Sequence, residues 1–180
     1  VAEGGGPFGA VIARNGRIVA TGTNRVTAEN DPTAHAEVQA IREAARRLGT
    51  FDLSGCEIYT SCEPCPMCLG AIYWARLDKV YFANGKEDAK AIGFDDSLIY
   101  DELALPRSER RLPSQELMRS EALEAFRLWS AKPDKGTGAI RSGKRLADAL
   151  FFPTFVYPVR NASRKMKSLF RQQSQTIPKR

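Results

Sequence analysis

The sequence predicts an α/β domain in which helices pack on one mixed sheet, and three observations predict it. Asn15-Gly16 divides two runs rich in Val and Ile. A segment with helical spacing follows and ends at Gly49. Up to Asn84, two further short apolar runs are separated by a second helical stretch. The order strand, strand, helix, strand, helix, strand is that of a layered α/β unit. At 180 residues the chain suits a single domain, with room for an appendage, and can bury a substantial core.

Each element has its own signal. From Phe8 to Val19, "FGAVIARNGRIV" reads as a hairpin, because Asn-Gly is the strongest short signal for a two-residue turn. "TNRVTAENDP" reads as a polar loop. Thr33 is expected to cap a helix running to about Leu48, closed by Gly49. "CEIYTS" is a third strand. "PMCLGAIYWARL" is a second helix with Pro66 in its first turn, where a missing N–H costs nothing. "DKVYFAN" is a fourth strand. After Asp88 the pattern weakens, and a further helix is expected within 114–131. "KPDKGTG" reads as a linker, so the division is a domain over 1–132 and a basic extension of uncertain order over 133–180.

Hydrophobic and charged fractions of 43% and 27% are those of a soluble globular protein. No apolar run approaches the ~20 residues needed to cross a bilayer. "VAEGGGPFG" does not form a signal peptide, and a start at Val1 is expected of a fragment or processed product. The net charge of +6 comes from the tail, where residues 140–180 hold ten Lys/Arg against Asp148 alone. The preceding residues carry 17 bases and 20 acids, so overall charge gives no argument for a nucleic-acid partner. The tail itself is expected to be solvated, with contact to an anionic surface as the rival reading. With no secretion signal, a reducing cytoplasmic setting is expected, in which the Asn161-Ala162-Ser163 sequon goes unused.

His35 is the chain's one histidine, and the cysteines are Cys56, Cys62, Cys65 and Cys68. Zinc takes imidazole and thiolate, and a catalytic zinc keeps three protein ligands with a fourth position for water. Two CxxC pairs overlap at Cys65. Cys65 and Cys68 open the second helix, where free N–H groups and the helix dipole favour thiolate. Cys62 ends the strand before it and need not point the same way, and Cys56 reads as a small core residue. The favoured set is therefore His35, Cys65 and Cys68. Glu37, two residues from His35, reaches the same ion only if the metal sits over the helix N-terminus, where first-turn side chains converge. There Glu37 is placed to take a proton from a water that the metal acidifies. The competing readings are a structural zinc site, which wants a fourth protein ligand, and a histidine simply satisfied in the core.

"HAE" followed by "PCPMC" matches the HxE…PCxxC signature of the zinc deaminases, so the chain resembles the cytidine-deaminase-like superfamily. "GGPFGAVI", "NDPTAHAEVQAIREA", "YTSCEPCPMCLGAIYWAR" and "GFDDSLIY" further resemble the bacterial guanine deaminases of that fold, from about Gly5 to Tyr100. The resemblance implies a cytidine-deaminase-like layered fold, one zinc per subunit on His35, Cys65 and Cys68, and hydrolysis of guanine to xanthine and ammonia in guanine catabolism. Water activated at the metal would attack C2, with Glu37 as proton shuttle. It also implies that Asn24 fixes the purine ring and that Asp96 holds the guanine edge and helps protonate the leaving amine. Ala36 is counted with the substrate-binding positions. Phe8 and Trp74 are aromatic candidates for the pocket, with core packing the rival reading, favoured for Trp74.

An ionised aspartate only accepts hydrogen bonds, which suits the N1–H and 2-NH2 donors of guanine and not the N1 acceptor of adenine. The family implies a helix before "GGPFGAVI", where only "VAEG" stands here, and a homodimer whose C-terminal segments are exchanged. The sequence after "FRLWSAKPDKG" shows no equivalent of that segment. The alternatives are a guanosine or tRNA adenosine deaminase of the same superfamily and a zinc-retaining binding module without turnover. Partners expected are a small purine and a second copy, with no membrane and no nucleic acid.

Overall fold

The computed structural model describes residues 5–134. The chain forms β1 (Gly9–Arg14), β2 (Arg17–Thr23), α1 (Val26–Glu29), α2 (Ala36–Leu48), β3 (Cys56–Cys62), α3 (Pro66–Trp74) and β4 (Lys79–Asn84). Then follow α4 (Lys86–Ala91), α5 (Ser97–Ala104), a 3-10 turn (Arg107–Glu109) and α6 (Arg119–Ala131). The four strands make one mixed sheet in the order β2-β1-β3-β4. β1 is antiparallel to β2 and β3, and β3 and β4 run parallel with α3 as their crossover.

Asn15 and Gly16 both have positive φ, 51° and 73°, which matches the strands' twist at a two-residue hairpin turn. Register slips by one residue between Ile12 and Ala13, a bulge in the hairpin. One face of the sheet is built by Ala10, Ile12, Ala20, Cys56 and Ile58, all buried against Ala36, Ala40 and Ala44 of α2 and Ile72 of α3. Alanine at every fourth position gives α2 a flat stripe. Gly22 completes the fit, since a Cβ there would stand 2.1 Å from the Ala36 carbonyl oxygen and 2.5 Å from the Ala40 nitrogen. The first turn of α2 is thus fixed directly over β2.

Several expected boundaries move. Thr33 does not cap α2. His35 occupies the N-cap with extended backbone, and the Thr33 hydroxyl donates instead to Asp31 Oδ1 at 2.6 Å. Residues 26–29 of the expected loop form the single turn α1, closed by Asn30 at φ 51°. α3 stops at Trp74 rather than continuing to Leu77, because Arg76 takes φ 59° and its guanidinium pairs with Asp52. α6 begins at Arg119, inside the 114–131 segment. α4 and α5 occupy the stretch where the sequence pattern faded. Neither they nor α6 buries a residue, and Phe126, Leu128 and Trp129 of α6 are exposed. The basic extension lies outside the described residues beyond Asp134, as does the sequon.

Candidate metal centre

Two helix N-termini meet end-on. His35 caps α2 and Cys65 caps α3, both with extended backbone and neither using its side chain as a cap, so both side chains are free to face one point. His35 Nδ1 lies 3.7 Å from Cys65 Sγ and 3.5 Å from Cys68 Sγ. The three donor atoms lie within 4.8 Å of one another. A tetrahedral zinc with Zn–N of about 2.0–2.1 Å and Zn–S of about 2.3 Å sets its N and S ligands about 3.6 Å apart. The two nitrogen–sulfur distances already have that value, so the donor set fits zinc in both chemistry and spacing.

Local chemistry separates the thiols. Hydrogen bonds from Cys68 and His35 bring the Cys65 thiol down to about 4, against its burial. Cys68 is pushed up, because it holds the proton it shares with Cys65 and is itself buried. The same Cys65 contact raises His35. Cys62 is buried, its thiol is raised by that burial, and its Sγ donates to the Gly85 carbonyl at 3.6 Å. It stands outside the three-donor set. Cys56 is wholly buried in the core.

Glu37, in the first turn of α2, is 7% exposed, and its Oε2 lies 3.4 Å from Cys68 Sγ. Burial pushes its carboxyl up, against the hydrogen bonds that lower it. Ala36 between them is 1% exposed and packs in the core, so it can meet a ligand only through its backbone.

Asn24 is buried. Its Oδ1 accepts from the N–H groups of Gly6 (3.4 Å) and Val26 (3.3 Å), and its own N–H donates to the Phe8 carbonyl at 3.1 Å. With Oδ1 held by the backbone, Nδ2 is the atom left to donate to a ligand. Asp96 stands at the N-cap of α5, yet its carboxylate makes no capping bond, and Asp95 Oδ1 accepts from Ser97 N and Oγ in its place. Burial raises Asp96, and the nearby charges of Cys65, Asp95 and Glu63 add to it. Its own backbone N–H pulls the other way, and the carboxylate gives no capping bond to α5. Trp74, in contrast, is 61% exposed at the end of α3, which corrects the expectation of core packing. Sequence reasoning missed Phe94, whose ring meets Phe8 edge to face at 4.9 Å between centroids. The available signal was an aromatic residue inside "GFDD".

Residues 2–84 match the family described as the cytidine and deoxycytidylate deaminase zinc-binding region. The chain is 56% identical over 125 residues to guanine deaminase of Bacillus subtilis (strain 168), covering 69% of this chain and 80% of that one. It is 49% identical over 77 residues to the tRNA-specific adenosine deaminase of Aquifex aeolicus, covering 43% of this chain and 51% of that protein. The crystal structure of guanine deaminase from B. subtilis superposes with a TM-score of 0.73 at 52% identity, covering 77% of this chain and 88% of the other. With that likeness spanning most of both chains and the zinc donors in place, the chain belongs to the cytidine and deoxycytidylate deaminase family of zinc-binding hydrolytic deaminases, as a homologue of guanine deaminase.

Proposed function

We propose that the protein hydrolyses guanine to xanthine and ammonia, with His35, Cys65 and Cys68 holding one zinc, Glu37 as the proton shuttle and Asp96 and Asn24 binding the purine. The observation that carries this reading is the convergence of the three donors with Glu37 in a chain 56% identical to a guanine deaminase. When bound, the zinc supplies a water acidic enough to be a nucleophile near neutral pH. Glu37 takes that water's proton on Oε2 and delivers it toward the departing 2-amino nitrogen as the C2–O bond forms and the C2–N bond breaks. Its burial keeps bulk water from competing for the proton. The Asp96 carboxylate accepts from N1–H and the 2-amino group, orienting C2 toward the metal. Asn24 Nδ2 donates to the opposite side of the ring.

A tRNA adenosine substrate is the second reading, favoured by the likeness to the Aquifex protein over 77 residues. The Asp96 carboxylate opposes it, since adenine offers an acceptor at N1 where guanine offers a donor. Exposed Phe126, Leu128 and Trp129 on α6 support a homodimer in which a second copy covers that helix. The absence of a helix long and apolar enough to cross a membrane, among the described residues, is compatible with a cytoplasmic setting. The last described helix ends at Ala131, in keeping with a deaminase domain over 1–132. The test is a xanthine and ammonia assay on purified protein with bound zinc quantified. Turnover of guanine but not of guanosine, adenine or cytosine is expected, and equal turnover of guanosine would displace the guanine assignment.

A further inference from the structure

Phe8 touches Asn24 and the segment that carries Asp96, the two residues assigned to the purine. Its carbonyl accepts from the Asn24 N–H at 3.1 Å, and its ring meets Phe94, two residues before Asp96. The segment carrying Asp96 is anchored at both ends. Gly93, at φ 92°, turns the chain out of α4, and the N–H groups of Gly93 and Phe94 close that helix on the carbonyls of Lys90 and Ala89 at 3.0 Å each. On the far side, Asp95 binds Ser97 and pairs with Lys90 Nζ at 3.2 Å, while Tyr100 Oη donates to the carbonyl of Pro64, the residue before Cys65. α4 and α5 bury nothing in the core, so their own packing does little to fix this segment against the sheet. Phe94 attaches it to Phe8, the residue before β1.

We propose that Phe94 is a positioning residue: its ring, edge-on to Phe8, sets the span between Asn24 and Asp96 and so the lateral placement of the purine over the metal centre. The proposal rests on the assignment of Asp96 to the guanine edge. It makes Phe8 a strut between the two walls of the pocket as well as a lining residue. Misplacing a reacting group by about 1 Å costs on the order of 100-fold in rate. The loss should be transmitted through Asp96 and through nothing else.

A thermodynamic cycle on the zinc-loaded enzyme tests this, using Phe94→Ala, Asp96→Ala and the double variant, with zinc content and melting temperature measured on each. Phe94→Ala is expected to lower kcat/KM for guanine about 30- to 100-fold, and Phe94→Tyr to restore it to within about threefold, since the edge-to-face pair survives. In the Asp96→Ala background, Phe94→Ala should cost less than about threefold, the strong coupling expected of residues acting as a unit. Should Phe94→Ala fold poorly, Phe94→Leu, which keeps apolar volume but not the ring geometry, gives the same cycle. Equal losses in both backgrounds, or a loss from Phe94→Ala matched by its loss of zinc, would overturn the positioning role. If Asp96→Ala alone leaves guanine turnover intact, it is the Asp96 assignment that fails, and the inference with it.

Discussion

Glu37 Oε2 and Cys68 Sγ lie 3.4 Å apart, joining the first turn of α2 to the first turn of α3 at the buried base of the metal centre. The carboxyl therefore neighbours the metal donors without belonging to their set. Glu37→Gln keeps the shape and removes the titrating group. Purified Glu37→Gln is expected to bind one zinc per chain and to lose kcat by about 10²–10⁴, the usual contribution of a positioned acid–base group. A variant with full zinc and wild-type kcat would remove Glu37 from the chemistry.

The overlapping CxxC pairs give a sharper test of the donor set. Cys65 is lowered to about 4 by its neighbours, while burial raises the Cys62 thiol, which is engaged with the Gly85 carbonyl. Cys62→Ala should retain about one zinc per chain, whereas His35→Ala, Cys65→Ala and Cys68→Ala should each fall below about a tenth of that, since three protein ligands leave none to spare. Elemental analysis after dialysis against a weak chelator reads the difference. Loss of zinc from Cys62→Ala would mean that the strand and not the helix supplies the second thiol.

The metal donors and Glu37 were legible in the sequence because their spacing encodes helix geometry. CxxC with proline inside it is a helix N-terminus, and HxE converges on an ion only at another. Thr33 misled because Ser/Thr before an apolar run normally caps, but Asp31 two residues earlier takes its hydroxyl and leaves His35 at the cap. The full length of α3 was overread because the left-handed turn at Arg76 is fixed by Asp52, 24 residues away, a partner invisible to local periodicity. Phe94 was missed for the same reason, since its partner, Phe8, lies far away in sequence, just before β1. Trp74 shows the converse, an aromatic at the far end of the cysteine-bearing helix that the fold leaves in solvent.

Gly22 sets the height of α2 above the sheet. A methyl group there would meet the Ala36 carbonyl oxygen at 2.1 Å and the Ala40 nitrogen at 2.5 Å, both backbone atoms, so helix and strand must part. Gly22→Ala is expected to cost roughly 2–3 kcal/mol and to lower the melting temperature by about 5–10 °C. Because His35 and Glu37 sit on that turn, zinc affinity should fall with it. Gly70→Ala is the control. Its Cβ would meet nothing within 4 Å on α3, and alanine is the better helix former, so stability should hold or rise.

Asp52 gives a pH signature separate from the metal centre. Its carboxyl is lowered from 3.8 to about 2 by the Ser54 hydroxyl and N–H and by the Arg76 guanidinium. A carboxylate lowered on folding stabilises above its unfolded pKa and loses that contribution as pH falls to the folded one. The melting temperature of Asp52→Asn should therefore lie below wild type at pH 5–7, and the gap should close between pH about 4 and about 2. A gap that persisted unchanged at pH 2 would show that the loss comes from packing at the Arg76 turn and not from the charge.

The proposed role of Asp96 is to select the base. Its carboxylate is released from capping because Asp95 serves Ser97. An acceptor-only group matches the two adjacent donors of guanine, and Asn at this position turns one acceptor into a donor facing N1–H. Hydrogen bonds to a charged partner contribute about 1.5–3 kcal/mol, so Asp96→Asn should lower kcat/KM for guanine about 10- to 100-fold while zinc content and melting temperature hold. The loss should be smaller for a purine lacking the 2-amino donor, read as the inhibition constant of hypoxanthine before and after the change. If hypoxanthine weakens as much as guanine, Asp96 touches the ring elsewhere and the 2-amino group is recognised by another residue.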